Sequence, residues 1–170
     1  MAIDLINRFL RFPVLEILIA FLLITFLACK KSPQINTEIE KQEVIQFIKD
    51  YSSFVSSVNI ENFDSYWNKS DLVSYIPLER DSAIIGYKEI VNYFKNQFNE
   101  VNSITLKIFN PVVWVSPTKS EALVIFLSSK NLQLKNGFNL TFQQVRNSML
   151  LTKFEGKWKI ISLHESVRQR

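Results

Sequence analysis

The sequence predicts an α+β fold in which three N-terminal helices pack against a curved antiparallel sheet. Apolar residues recur at helical spacing between residues 38 and 99, and from residue 102 onward they alternate with a period of two. Short turns separate the alternating segments, and one contains an Asn136-Gly137 step, a strong hairpin signal. Helices followed by hairpin-linked strands favour a single sheet with the helices on one face.

The helical part divides into three segments. A first helix is predicted over residues 38–58, and Thr37 and Glu40 have the spacing of a capping box at its start. A short second helix is predicted over residues 60–67, after Asn59, and weak alternation over residues 71–77 indicates a short strand. Gly86 ends the apolar stretch 83–85, and a third helix follows over about 87–99.

The strand part divides into four long segments. The first runs from residue 104 to 114, bent or bulged near Pro111, because proline cannot donate to a sheet ladder. The others cover residues 122–132, 138–154 and 158–167, with turns at 117–120, 134–137 and 155–157.

A separate leader precedes this domain. Arg8 and Arg11 lie before an apolar run over residues 14–28, and Cys29 follows that run directly. A basic region, an apolar stretch and a small residue before the cut describe a secretory signal. We therefore expect a signal peptide over 1–28, a lipidated tether over 29–37 and one domain over 38–170.

The segment around Cys29 resembles the lipobox of bacterial lipoproteins, with Phe26, Leu27 and Ala28 before the cysteine. The resemblance implies a diacylglyceryl group on the Cys29 thiol, removal of the leader and attachment to a membrane of the bacterial cell envelope, with the leaflet left open. The alternative is an uncleaved anchor. Residues 14–28 number fifteen, however, and a spanning helix needs about 20 apolar residues.

The amino-acid composition limits the ligands, metals and cofactors that the domain could bind. Fourteen residues are phenylalanine, which indicates a large apolar interior. The formal net charge of +4 is a mild excess and does not form the clustered basic patch expected of a nucleic-acid binder. The sequence has one histidine and one cysteine, too few for a zinc cluster, and no glycine-rich phosphate loop. We therefore expect no metal, no cofactor, and no disulfide within the domain.

Three stretches resemble the SnoaL-like and ketosteroid-isomerase-like families of the nuclear transport factor 2-like superfamily. They are the opening helices over 44–67, the glycine-led helix start IGYKEI at 85–90, and the ending RNSMLL at 146–151 with GKWKIISLHES at 156–166. The resemblance covers about residues 38–168. It implies a cone whose mouth leads to an apolar cavity, and dimerisation through the outer face of the sheet.

His164 and Arg146 are the first candidates for a ligand site. His164 shares strand parity with Trp158, so the two lie on one face of the sheet. The resemblance implies that this face looks into the cone, where the imidazole would serve as acid, base or hydrogen-bond donor. The alternative is a histidine that only fixes sheet geometry. A turn centred on residues 155–156 puts Arg146 opposite Glu165, either as a cross-strand ion pair or pointing inward beside His164.

Aromatic residues could line the cavity or simply fill the core. The candidates for ligand contact are Tyr51, Tyr66, Trp67, Tyr87, Trp114 and Trp158. Isomerase chemistry needs a carboxylate in an apolar pocket. Asp64, Asp71 and Asp81 are the available carboxylates; none lies in a motif matching the family's catalytic aspartate, and Asp71, at the start of a short predicted strand, is the best placed.

Three functions follow from these observations. The first is a lipid-anchored domain that binds a small apolar or amphipathic molecule, or a protein partner, without turning it over. The second is an isomerase or hydratase that uses His164 and Asp71. The third is an interaction module that forms a homodimer through the sheet face.

Overall fold

The computed structural model describes residues 36–167, and within them three helices and six strands form the predicted α+β fold. The helices are α1 (Glu38–Ser56), α2 (Phe63–Tyr66) and α3 (Tyr87–Glu100). The strands are β1 (Ser74–Ile76), β2 (Ile84–Ile85), β3 (Val101–Val115), β4 (Glu121–Leu134), β5 (Asn139–Phe154) and β6 (Lys157–Ser166). The predicted order, helices first and then four long hairpin-linked strands, is confirmed.

The sheet is mixed, which corrects the expectation of a purely antiparallel one. Its order is β2-β1-β6-β5-β4-β3, and β1 runs parallel to β6 while the other pairs are antiparallel. The two-residue strand β2 was not predicted; it pairs with β1 and brings the start of α3 against the sheet.

The core lies between the helices and one face of the sheet, here called the inner face. Val44 and Ile48 of α1 are almost fully buried, as is Ile90 of α3, in agreement with the helical spacing of apolar residues. Aromatic rings fill the space between the elements, with Phe94 in contact with Phe63 and Tyr75. Burial of each such side chain contributes about 1.5–3 kcal/mol, so this layer dominates the stability of the domain.

The start of α1 differs from the predicted capping box. The Glu38 amide donates to the Asn36 side chain at 3.0 Å, and Thr37 makes no side-chain cap bond. The Glu40 carboxylate instead pairs with Lys119 in the β3–β4 turn, at 3.0 Å. A long-range ion pair has therefore replaced the local cap, and it fastens α1 to the sheet.

Gly86 precedes α3 with a φ of 94°. That conformation is in the left-handed region, which side chains with a Cβ rarely adopt. The glycine therefore allows the abrupt change from β2 to α3.

Extra residues interrupt three strand ladders. The β3–β4 register shifts between Phe109 and Val112, where Asn110 has a φ of 49°, so the bulge predicted near Pro111 is confirmed. The same ladder also shifts between Val101 and Ser103. The β4–β5 ladder shifts in β5, where Gln144 has a φ of 52°. The β5–β6 ladder shifts in β6, where the partner of Leu150 is Ser162 and the partner of Leu151 is Ile160. Each extra residue reverses the face to which the following side chains point.

The edge strand β3 is protected by α1. The Ser52 hydroxyl donates to the Leu106 carbonyl at 2.6 Å, and the Leu106 amide donates to the Ser56 hydroxyl at 3.1 Å. Pro111 carries no amide hydrogen. These residues satisfy or remove edge groups that could otherwise pair with another strand.

Within residues 36–167, no helix has the length and apolar character required to cross a membrane. The predicted signal peptide, Cys29 and most of the tether lie outside the described residues.

Candidate functional site

A buried ion pair lies on the inner face of the sheet. The Lys130 ammonium on β4 contacts both carboxylate oxygens of Glu165 on β6, at 3.1 and 2.9 Å. The Glu165 side chain is only 6% exposed and that of Lys130 16%. Isolated charges at such depth would be costly, so each side chain depends on the other.

Asn147 on β5 lies between the two strands that carry this pair. Its side-chain amide donates to the Ser128 hydroxyl at 3.0 Å and to the Val145 carbonyl at 2.9 Å. Asn147 is opposite Glu165 in the strand register. Buried polar groups of three adjacent strands therefore lie side by side on the inner face.

Two buried tyrosines lie in the electrostatic field of Glu165. Burial raises the pKa of the Tyr51 hydroxyl well above its ordinary value, and the Glu165 carboxylate raises it further. The same two causes raise the pKa of Tyr75. Both phenols therefore stay neutral.

Trp67 adds a donor to this region. The residue is 1% exposed, and its indole N–H faces the Tyr51 oxygen but completes no hydrogen bond with a described residue. The Trp67 ring lies 6.0 Å from that of Tyr75 and 5.9 Å from that of Phe63. This part of the interior thus contains neutral donors among aromatic rings, and the charges of Lys130 and Glu165 neutralise each other.

The predicted inward orientation of His164 is wrong. Trp158 and Ile160 are buried, but the extra residue in β6 reverses the alternation, so that Leu163 and Glu165 point inward. His164 is exposed on the opposite face of the sheet, here called the outer face, where it is paired with Ser148 of β5.

Both orientations predicted for Arg146 are also wrong. Arg146 is opposite Ser166 and is exposed on the outer face, where its guanidinium donates to the Val167 carbonyl at 3.4 Å. It forms no pair with Glu165, which is bound to Lys130 on the inner face.

The predicted aromatic contacts separate into two groups. Tyr51 and Trp67 come together in the interior, and Trp158 is buried nearer the β5–β6 hairpin, where its indole donates to Glu43 at 3.1 Å. Trp114 is 55% exposed on the outer face, because the bulge at Asn110 reverses its orientation. Tyr66 and Tyr87 are partly buried and pack against the core.

Asp71 is exposed in the segment before β1. Because β1 runs parallel to β6, Asp71 precedes the start of β1, whereas His164 is level with Ile76 at the end of β1. The structure does not bring the two catalytic candidates together.

The outer face carries exposed apolar side chains on three adjacent strands. We call this set the outer patch; it consists of Phe109, Val112, Trp114, Ile125, Leu127 and Leu150. Phe109 is opposite Leu127, and Val112 is opposite Ile125. Single exposed apolar residues are common, but a contiguous apolar surface of this kind marks an interaction site.

Open grooves are found elsewhere on the described surface. One of about 490 Å³ lies between α1 and the β5–β6 hairpin, and one of about 390 Å³ lies beside Leu72 and Leu150. A third of about 480 Å³ lies between α2 and α3. None of these three is lined by His164 or Glu165. No group of three histidine, cysteine or acidic residues that could hold a metal occurs within residues 36–167.

Sequence reasoning missed Lys130, Asn147 and Tyr75, and it assigned Glu165 a different partner. A signal was available for Lys130, which shares strand parity with Ala122, Val124 and Phe126 and so points inward as a charge among apolar residues. No comparable signal marked Glu165, because its face depends on the extra residue in β6.

The family of SnoaL-like domains matches residues 44–169. The chain belongs to the SnoaL-like family. No curated protein matches the sequence.

Solved structures support the same fold for this SnoaL-like domain. A nuclear transport factor 2-like superfamily protein from Salmonella enterica is similar, with a TM-score of 0.71 and 21% identity over 79% of this chain and 95% of that chain. The association domain of C. elegans CaMKII has a TM-score of 0.62 and 19% identity over 78% of this chain and 100% of that chain. A protein named as a candidate dehydratase of the same superfamily, from Streptomyces avermitilis, has a TM-score of 0.69 and 16% identity over 79% and 100%. At these identities the likeness establishes the fold, which hosts unrelated functions.

Proposed function

We propose that this chain is a lipid-anchored protein of the bacterial cell envelope whose SnoaL-like domain is a non-catalytic binding module, and that its partner is a second copy of itself bound through the outer patch. The observation that carries the proposal is the exposed apolar surface formed by β3, β4 and β5. The anchor is the thioether-linked lipid expected on Cys29.

Three features support self-association. Two-fold symmetry lets one apolar patch cover its own copy, which is the commonest arrangement in soluble oligomers. Trp114 is an exposed indole within the patch, and tryptophan is enriched among the residues that dominate interface energies. Similar folds also occur in proteins named as association domains.

The position of the candidate catalytic residues supports a non-catalytic role. A proton-transfer reaction requires an acid and a base within reach of one substrate. His164 and Asp71 are exposed and separated by the length of β1, and the buried Glu165 is held by Lys130.

Sedimentation of the full-length chain in detergent tests the dimer. We expect the wild type to sediment as a dimer at micromolar concentration and Trp114→Lys as a monomer, because a charge in the patch would be desolvated without a partner. Ile39→Lys is the matched control: Ile39 is 70% exposed on α1, away from the patch, and should leave the dimer intact. A monomeric wild type would overturn the proposal.

A small amphipathic molecule in the interior is the second candidate function, favoured by the unpartnered Trp67 indole among buried aromatic rings. The domain has three tryptophans, so their indole ¹⁵N–¹H resonances can be separated, and Trp67→Phe assigns the relevant one. Titration with 1-octanol should move the Trp67 resonance and leave that of the exposed Trp114 in place. If the Trp67 resonance does not respond, this candidate is excluded for that class of ligand.

A further inference from the structure

The single histidine lies beside the outer patch. His164 is opposite Ser148 on β5, and Ser148 is opposite Ile125 on β4. Neighbouring strands are about 4.8 Å apart, so His164 lies about 10 Å from Ile125, on the same face of the sheet. An interface of ordinary size, about 800 Å² per partner, that is centred on the patch would include it.

Arg146 is the charged residue that accompanies His164 on this face. It is exposed on β5, next to Ser148 in the outward row, and Leu127 of the patch is its partner on β4. His164 and Arg146 therefore place an ionisable imidazole and a permanent positive charge along the same border of the patch.

Within residues 36–167, the outward positions of the strands that flank His164 hold no carboxylate that could balance these charges, and the loop after β1 carries Glu79 and the exposed Asp81. The outward neighbours on β6 are Ser162 and Ser166, and β1 presents Ser74 and Ile76. Glu165 points inward and is bound by Lys130. Glu79, in the loop after β1, accepts a hydrogen bond from Tyr93 of α3, and Arg80 lies over the Tyr93 ring. Farther away, Glu121 and Lys107 are exposed at other positions of β4 and β3.

We propose that proton uptake by His164 dissociates the homodimer, so that the dimer forms at neutral pH and separates in mildly acidic conditions. The inference rests on the proposed function, because it concerns the same surface. A two-fold interface contains every residue twice, so protonation adds two imidazolium groups to two guanidinium groups. Like charges brought together and desolvated without partners oppose association. An imidazole changes its charge between pH 5 and pH 8, where other unperturbed side chains do not.

The test is the dissociation constant of the full-length dimer in detergent, measured by sedimentation at pH 7.5 and pH 5.5. We expect the wild-type constant to rise about tenfold or more at the lower pH, since every 1.4 kcal/mol of repulsion is a factor of ten. His164→Gln keeps a polar side chain that cannot ionise, and it should give nearly equal constants at the two pH values.

Arg146→Gln provides the second variant. It removes the fixed charge and keeps His164, so its pH dependence should be smaller than that of the wild type but still present. A wild-type dimer with equal constants at both pH values overturns the inference and leaves the proposed function in place. If the dissociation constant of His164→Gln still depends on pH, the inference is also overturned, because another group would then be responsible. A wild type that is monomeric at pH 7.5 overturns the proposed function itself.

Discussion

Among single residues, the buried Lys130–Glu165 pair makes the sharpest energetic prediction. Lys130→Met leaves the Glu165 carboxylate without its partner, and breaking a buried pair in this way costs about 3–5 kcal/mol. The double variant Lys130→Met, Glu165→Met replaces both charges with apolar groups, so it should recover much of that loss. Urea unfolding measures both variants, and a double variant as unstable as the single one would contradict this account.

The Glu43 carboxylate makes the stability of the domain dependent on pH. The Lys153 ammonium at 2.8 Å, followed by the Trp158 indole, lowers the pKa of the Glu43 carboxyl. A lowered pKa means that the stabilisation is present above the ordinary value of about 4.3 and is lost as the pH falls through the folded-state value.

Glu43→Gln should therefore destabilise the domain at pH 7 and have almost no effect at pH 3. The side chain of Glu43 is 45% exposed, so solvent screening limits the effect at pH 7 to below about 1 kcal/mol. Glutamine can still accept the Trp158 hydrogen bond, so the variant isolates the charge. Thermal unfolding at the two pH values measures this, and an equal loss at both would refute the electrostatic origin.

Residue identities were more predictable than residue orientations. The sequence singled out Tyr51, Trp67 and Trp158 as interior aromatics, and all three are buried. It placed His164 and Trp114 inside, and both are exposed on the outer face. The two errors have one cause: strand parity holds only until an extra residue interrupts the ladder.

Among the elements, those with a long periodic pattern were predicted closely. The first helix was expected over 38–58 and spans Glu38–Ser56, and the third was expected over about 87–99 and spans Tyr87–Glu100. The two-residue strand β2 is too short to show alternation, and its pairing with β1 depends on distant residues. The parallel contact between β1 and β6 was missed for the same reason.

The bulges show why the site was harder to predict than the fold. Pro111 marked the irregularity in β3, because proline disturbs a ladder, yet the extra residue in β6 lies within Ile160-Ile161, which contains no proline or glycine. An apolar pair of this kind fits a regular buried strand equally well. Only the pairing of β5 with β6 reveals that one residue is additional.

Protection of the β3 edge by α1 depends on the Ser56 hydroxyl, which accepts a hydrogen bond from the Leu106 amide. Ser56→Ala leaves the Leu106 amide without its acceptor, and this should cost about 1 kcal/mol and raise the hydrogen-exchange rate of that amide. Ser53→Ala is a matched control on the same helix, because Ser53 bonds only to the Lys49 carbonyl within α1. Unchanged exchange at Leu106 would show that the hydroxyl does not protect the edge.

For the whole molecule, the two faces of the sheet have different environments. The helices cover the inner face, whereas within residues 36–167 the outer patch is not covered by another element. Exposed apolar surface of this kind is normally buried in an assembly. A lipid anchor would keep each copy in the same plane and raise its effective concentration, which favours pairing even at modest affinity.

The proposed lipid attachment at Cys29 can be tested by replacing the cysteine. Cys29→Ser removes the sole thiol in the chain, so we expect loss of palmitate labelling and transfer of the protein from the membrane fraction to the soluble fraction. Two acyl chains suffice for stable anchoring, since each buried CH₂ contributes about 0.8 kcal/mol.

The control for the anchor is Trp114→Lys, which should abolish the dimer and leave the protein in the membrane fraction, because under the proposed function each copy would carry its own lipid. Conversely, Cys29→Ser should remain able to dimerise, although only at higher total concentration. If Trp114→Lys alone releases the protein, attachment depends on the outer patch rather than on Cys29. If Cys29→Ser stays in the membrane fraction with its leader intact, the apolar run at 14–28 is the anchor.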